Sequence, residues 1–428
     1  MLRRIVFLFV LVQTACSPSF VVNKKVKSLS QKFSNHIGFV LTDPLSGKEL
    51  ININGDKYFT PASNTKILTF YAALRYLGDS VPALRYRISG DSLLISGTGD
   101  PSFLYPQTFN NNRVVDFLKK FSGSVYLDPR NYAPAPYGPG WAWDDFDADY
   151  QADRNSFPIY GNLVSAKRED QGLKIIPATF SGTTDLEKDP SGFFREQRQN
   201  SFHLPLDKIT EKEALIPFIT SDELTAQLLT DTIKKTVRLI KFSNRPQQIL
   251  YSIPADSLYK TMMQKSDNLI AEQLLMMVSD HLTDTLDTRP AIRKILANDF
   301  ADLPQRPVWV DGSGLSRYNL ITPMDIVLVW KKILDIRTQE QLFPLLAASG
   351  KGTLSSLNQR ASSGTSMARS FIFGKTGTLS NNYSLSGYLI TRRNRLLIFS
   401  SMNANFTVPA RKVRDELEHL LNYIHERY

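Results

Sequence analysis

Hydrophobic positions divide this chain into segments of different period. From Ile67 to Leu74 apolar side chains (Ile67, Leu68, Phe70, Ala72, Ala73, Leu74) occupy nearly every side of a helix, which predicts a buried helix rather than an amphipathic one. Ahead of it, His36–Asp43 and Lys48–Asn54 alternate as strands joined by the turn Pro44-Leu45-Ser46-Gly47. Helical spacing returns at Ser257–Gln264 and Asn268–Val278. Thr322-Pro323, an N-cap followed by proline at the first helical position, opens a helix over Met324–Leu334. The period then changes to two: Phe371-Ile372-Phe373, Tyr383–Ile390 and Arg395–Ser401 read as strands, the last two turning at Arg392-Arg393-Asn394. Val408–Tyr428 closes the chain as an amphipathic helix with Val413, Leu417, Leu420, Leu421 and Ile424 on one side.

These patterns suggest an organisation. Residues 1–15 carry Arg3 and Arg4, then a short apolar run from Ile5 to Val12, and are expected to be an export signal too short to span a bilayer. Residues 16–35 are polar and basic, an expected tether. The blocks 36–84 and 251–428 are expected to form one domain. Between them 85–250, with strand-like pieces at Leu93–Pro101, Ser124–Leu127 and Leu173–Ile176 among many turn residues, is expected to be a mostly β insertion domain.

Composition narrows the function. A hydrophobic content of 42% is ample for a core. The net charge of +10 comes from scattered bases without a nucleic-acid motif, so an acidic polymer or a membrane surface suits it better than nucleic acid. Cys16 is the only cysteine, which excludes internal disulfides. Its place after Thr14-Ala15 resembles a lipoprotein processing box, with Gln13 where such boxes usually carry leucine, so lipidation of Cys16 is expected. The five histidines show no metal-ligand spacing, and neither a metal nor a cofactor is expected.

The chemistry gathers at Pro61-Ala62-Ser63-Asn64-Thr65-Lys66. Ser63 falls in the first helical turn, beside free backbone N–H groups and the positive end of the helix dipole, with Lys66 one turn on along the same face. A buried lysine there can lose its proton and accept one from the serine. Ser-x-x-Lys alone is weak evidence, because it recurs at Ser257–Lys260. Two further stretches raise its weight: Ser266-Asp267-Asn268 at a helix start, and Lys375-Thr376-Gly377 on a strand, which complete a known serine acyl-transfer trio. Rival readings fail. Gly374-Lys375-Thr376 lacks the earlier glycine of a phosphate loop, where Arg369 stands, and no Gly-x-Ser-x-Gly elbow occurs.

With Gly97-Thr98-Gly99-Asp100-Pro101, Pro139-Gly140-Trp141-Ala142-Trp143-Asp144-Asp145, Asp311-Gly312-Ser313-Gly314-Leu315-Ser316-Arg317 and Gly374–Thr378, the chain resembles the D-alanyl-D-alanine carboxypeptidase/endopeptidase family, the class C low-molecular-mass penicillin-binding proteins. The resemblance implies an α/β (α+β) transpeptidase fold, an antiparallel sheet flanked by helices beside a helical lobe, with a β-rich insert above the cleft. It implies a periplasmic enzyme acting on peptidoglycan stem peptides and cross-links and binding β-lactam antibiotics, anchored to a membrane where Cys16 is lipidated. It further implies Ser63 as nucleophile, Lys66 as base and Ser266 as proton relay. Asn268 would bond the substrate amide or Lys66, and Lys375 and Thr376 would receive the substrate carboxylate. The backbone N–H groups of Ser63 and Thr378 would form the oxyanion hole. Burial and a nearby Lys375 are expected to lower the Lys66 pKa. Asp144 or Asp145 would meet the amino group of a cross-link residue, and Asp311–Arg317 is read as a structural turn in the cleft wall. A β-lactamase, and a non-catalytic penicillin sensor or wall-binding protein, are the alternatives. Nitrocefin hydrolysis separates out the first, and D-Ala release from a pentapeptide the second.

Overall fold

The computed structural model of the protein describes residues 18–105, 108–109, 111–132, 135–169, 172–186, 192–205, 209, 213–357 and 370–428. The export signal and Cys16 lie outside these. Outside residues 85–250 the main helices among the described residues are α1 (Pro18–Phe33), α2 (Lys66–Tyr76), α3 (Ala255–Lys265), α4 (Asn268–Thr283), α5 (Thr288–Asn298), α6 (Pro323–Ile336) and α7 (Ala410–Arg427), besides the single turn Gln339–Leu342.

Six strands, β1 (His36–Asp43), β2 (Lys48–Ile53), β3 (Ala347–Ala348), β4 (Ile372–Leu379), β5 (Asn382–Ile390) and β6 (Leu396–Ala404), form one antiparallel sheet in the order β3-β4-β5-β6-β1-β2. Both ends of the chain therefore share a sheet, through the pairing of β1 with β6. Alternation sends Phe39, Leu41, Leu397 and Phe399 to a core beneath α1 and α7. Val40, Ile398, Met402 and Tyr388 go to the opposite core, which α2, α3, α4, α5 and α6 complete. Both faces are covered, which is why β5 and β6 are buried nearly throughout.

Where polar composition suggests a tether over 16–35, residues Pro18–Phe33 form α1 instead. Its lysines face solvent, while Val22, Val26 and Phe33 form a narrow buried stripe against α7. Ser19 Oγ also bonds the Tyr428 hydroxyl at 2.9 Å, and Lys32 pairs with Glu416. On α7 the buried side consists of the five expected residues, Val413, Leu417, Leu420, Leu421 and Ile424.

Between α2 and α3 the chain builds a second core around Leu84, Leu93, Ile95, Val125, Phe157 and Leu228. Its main sheet has five strands, and Ser80–Ser89 at its start pairs with Gln248–Pro254 at its end. This pairing brings the chain back to where it left, so α3 and α4 pack directly on α2. The block is not all β: helices Arg113–Lys120 and Asp222–Ile233 lie within it, the second capped by Ser221, whose side chain accepts the Leu224 N–H.

Candidate active site

Ser63 stands in a tight 3-10 turn, Ala62–Thr65, that runs straight into α2. Ala62 is held at φ +50°, a costly conformation for a residue with a side chain. Every residue of α2 from Lys66 to Leu74 is buried. Ile67, Leu68, Phe70 and Leu74 each contribute about 1.5–3 kcal/mol by leaving water. That offsets the several kcal/mol of enclosing a lysine amine in the same helix. The hydrogen bonds of Asn64 hold the turn: its Nδ2 donates to the Lys375 carbonyl at 3.0 Å, and its Oδ1 accepts from Ser386 Oγ at 2.6 Å. Ser386 in turn accepts from the Trp330 indole of α6. The strand β4 passes so close that a side chain at Gly377 would lie 2.5 Å from the Pro61 carbonyl and 3.0 Å from the Ser63 nitrogen.

Lys66 Nζ donates to Ser63 Oγ at 3.1 Å, to Asn268 Oδ1 at 2.6 Å and to the Ser313 carbonyl at 2.7 Å. The second and third motifs meet it across this centre. Ser266 ends α3 at φ +63°, and Asp267 caps α4 by accepting the Ile270 N–H at 2.9 Å, which sets Asn268 at the first turn. Asn268 Nδ2 is already engaged by the Tyr150 carbonyl at 2.9 Å, so its oxygen is left to Lys66. Lys375 Nζ donates to Ser266 Oγ at 2.8 Å and to the Thr376 carbonyl at 2.6 Å. Ser63, Lys66, Ser266, Asn268 and Lys375 thus form one cluster, with Thr376 buried on β4 beside it.

Burial pushes the Lys66 amine down to about 8, against the pull of Asp311, Glu272 and Asp267, which favour its proton. The repulsion between the two lysines falls on the other partner. Burial and the Lys66 charge hold Lys375 well below the usual lysine range. Three carboxylates favour the Lys66 proton, whereas burial and the Lys66 charge both work against the Lys375 proton.

A cleft of about 650 Å3 opens over the cluster, lined by Ser63, Asn268, Thr378, Asp144, Asp145 and Arg317 among others. Thr378 is exposed there, and both aspartates reach it from the 3-10 turn Trp143–Asp145. The other Ser-x-x-Lys, Ser257–Lys260, lies on α3, with Lys260 exposed to solvent. The turn Asp311–Arg317 does more than shape the wall, since its Ser313 carbonyl holds Lys66. Sequence reasoning also passed over Glu272, one turn past Asn268 on α4; a glutamate inside the apolar run Leu269–Val278 was the available signal. Among the described residues no cluster of His, Cys, Asp and Glu is arranged to hold a metal ion.

An antiparallel sheet between helices, with a serine and a buried lysine at the start of α2, is the arrangement of the penicillin-binding and β-lactamase-like fold. The profile of the D-Ala-D-Ala carboxypeptidase 3 (S13) family matches residues 22–179 and 218–423, and the chain belongs to that family, as a serine-type D-Ala-D-Ala carboxypeptidase. It is similar to the D-alanyl-D-alanine carboxypeptidase DacB of Haemophilus influenzae, 25% identical over 89% of this chain and 88% of that one. A carboxypeptidase of Mycobacterium tuberculosis is 24% identical over 88% of this chain and 78% of its own length. The crystal structure of penicillin-binding protein 4 from Haemophilus influenzae superposes with a TM-score of 0.70 at 22% identity, covering 94% of this chain and 99% of that one. A predatory endopeptidase of Bdellovibrio bacteriovorus superposes at 0.50 with 15% identity, over 90% and 94%.

Proposed function

We propose that the protein releases D-Ala from peptidoglycan stem peptides, and opens D-Ala cross-links, through an acyl-enzyme on Ser63. The observation that carries this is the 3.1 Å contact between Ser63 Oγ and a fully buried Lys66 amine whose proton affinity is lowered to about 8. At pH 7 about a tenth of such lysines are neutral and able to take the serine proton. Ser266, in contact with Lys375, would pass a proton to the departing amine. Asn268 orients Lys66 rather than waiting for substrate, since both ends of its amide are engaged. A substrate carboxylate at Lys375 and Thr376 would supply a counter-charge that favours the Lys375 proton, against the burial and the Lys66 charge that lower it. The N–H groups of Ser63 and Thr378 would hold the oxyanion, at ~3 kcal/mol per donor in other acyl-transfer enzymes.

Penicillin binding rests on the same serine. One relative's solved structure is acylated by penicillin G, another binds a β-lactam, and the predatory relatives are named endopeptidases. Residues 85–250 serve as an insertion unit above the cleft. Work on cell-wall peptides fits a periplasmic enzyme; Arg3, Arg4 and the short apolar run after them support export with removal of residues 1–15, and Cys16 after Thr14-Ala15 supports a lipid anchor. Asp144 and Asp145 line the cleft beside Ser63 and suit the free amino group of a cross-link residue. Changing each to alanine is expected to raise KM for cross-linked muropeptides about tenfold or more. Unchanged turnover in both variants would remove that role.

D-Ala release from a pentapeptide tests the main reading. The sign follows from the base: Lys66 must be neutral, so the rate is expected to rise with pH through about 8. A rate that stays flat from about pH 7 to about pH 9 would contradict Lys66 as the base.

A further inference from the structure

Behind Lys66 lies a buried ion pair that no step above employs. Glu272 lies one turn along α4 from Asn268, on the same side of the helix. Its Oε1 accepts the Ser313 N–H at 2.7 Å and its Oε2 meets Arg154 Nη1 at 3.1 Å, with the two side chains only 4% (Arg154) and 1% (Glu272) exposed. The remaining Arg154 donors clamp one segment: Nε bonds the Pro136 carbonyl at 3.3 Å, and Nη2 the carbonyls of Ala135 and Tyr137 at 3.1 and 2.9 Å. The guanidinium lies over the Trp141 ring, 5.3 Å from its centre. The Trp141 indole donates to Asp311 Oδ2 at 2.9 Å, and Asp311 accepts the N–H groups of Gly314 and Ser316. The turn 311–316 is thus gripped from two sides, and between the grips the Ser313 carbonyl accepts from Lys66 at 2.7 Å.

A buried ion pair is by itself weak evidence of any role, because its desolvation cost rivals its attraction. Placement gives this one a role. A single residue, Ser313, separates the pair from the lysine amine, bound to Glu272 through its N–H and to Lys66 through its carbonyl. We infer that the Glu272–Arg154 pair is a positioning unit for Lys66, through which the 135–154 segment, carrier of Asp144 and Asp145, sets the place of the lysine amine. This rests on Lys66 being the base proposed above.

The charged surroundings give the unit a readout. Lys66 is faced by Lys375 from β4, Asp311 from the turn, and Glu272 and Asp267 at α4. Glu272 is faced by Arg154, Asp311, Lys66 and Tyr132. Glu272→Gln keeps an acceptor for the Ser313 N–H but removes one of the carboxylates that favour the Lys66 proton.

The experiment is the rate of acylation by a fluorescent penicillin against pH, with thermal unfolding recorded for each variant of the full protein. In Glu272→Gln the rising limb is expected to move to lower pH by about one unit, with the plateau about tenfold lower as Ser313 loosens. Should the unpaired Arg154 cost that variant its fold, Glu272→Gln with Arg154→Met removes both charges in apolar or neutral form, an exchange buried pairs often tolerate. A shift in the same direction is expected there, smaller because a cation leaves with the carboxylate, and not abolished because Glu272 is the member of the pair that acts on Lys66. A limb that stays in place in the variant that folds, with only thermal stability lowered, makes the pair structural and overturns the inference. Lys66→Met serves as the separate control: substantial acylation remaining in it would overturn the reading of the base, and with it this inference.

Discussion

Lys66→Met is expected to slow the acylation of Ser63 about 10^4-fold while leaving the protein folded. The two effects have separate causes. Methionine fills nearly the same volume at the start of α2, where the neighbours are fully buried, so no cavity opens. It deprives the Asn268 oxygen and the Ser313 carbonyl of their donor, at about 1–3 kcal/mol each. It also removes a buried cation whose desolvation costs several kcal/mol, so the sum stays close to neutral. Relief of the charge beside Lys375 works in the same direction, since the Lys66 ammonium is part of what lowers that amine. Gel-based penicillin labelling over time gives the rate, and calorimetry the fold. Acylation within tenfold of the parent would mean that another group takes the Ser63 proton.

Gly314→Ala is expected to damage both fold and chemistry. Gly314 sits at φ +84°, and a methyl group there would lie 1.9 Å from the Ala62 carbonyl oxygen. Neither backbone can yield easily, because Ala62 is itself at positive φ and the turn 311–316 is tied to Asp311, Glu272 and Trp141. The separation must grow, which draws the Ser313 carbonyl away from Lys66 and loosens the Ser63 turn. A cost of about 2–4 kcal/mol in stability and a loss of about 100-fold or more in acylation are expected. Gly182→Ala is the control: beyond its own chain neighbours no described heavy atom lies within 4 Å of the added carbon, and both properties should stay near those of the parent. A Gly314→Ala protein with parental acylation would show that the turn can move without disturbing the base.

How much of this could be read from the residues depended on how local the cause was. The buried helix from Lys66, the cap at Thr322-Pro323 and the five-residue apolar side of α7 follow from spacing alone, and each stands in the structure where the spacing put it. α1 was missed because Val22 and Val26 make a stripe too narrow to stand out among lysines; its partner is α7, some four hundred residues on. Helix Asp222–Ile233 had a legible start, a serine cap followed by two acids, but lay hidden in a block that otherwise reads as strand. The resemblance pointed to the serine, the lysines and the asparagine, and the structure brings them together across 202 residues between Lys66 and Asn268. Ser313 acts through a backbone carbonyl, which no side-chain pattern announces. Glu272 matters only with Arg154, 118 residues away, so its charge had no visible partner in the sequence.

The account stands on Ser63 as the residue acylated. The most direct test is to label the purified protein with a fluorescent penicillin, digest it with trypsin and sequence the labelled peptide by mass spectrometry. The adduct is expected within Tyr58–Lys66, on Ser63, and absent from Ser63→Ala. An adduct on any other residue, or none in a folded protein, would contradict it.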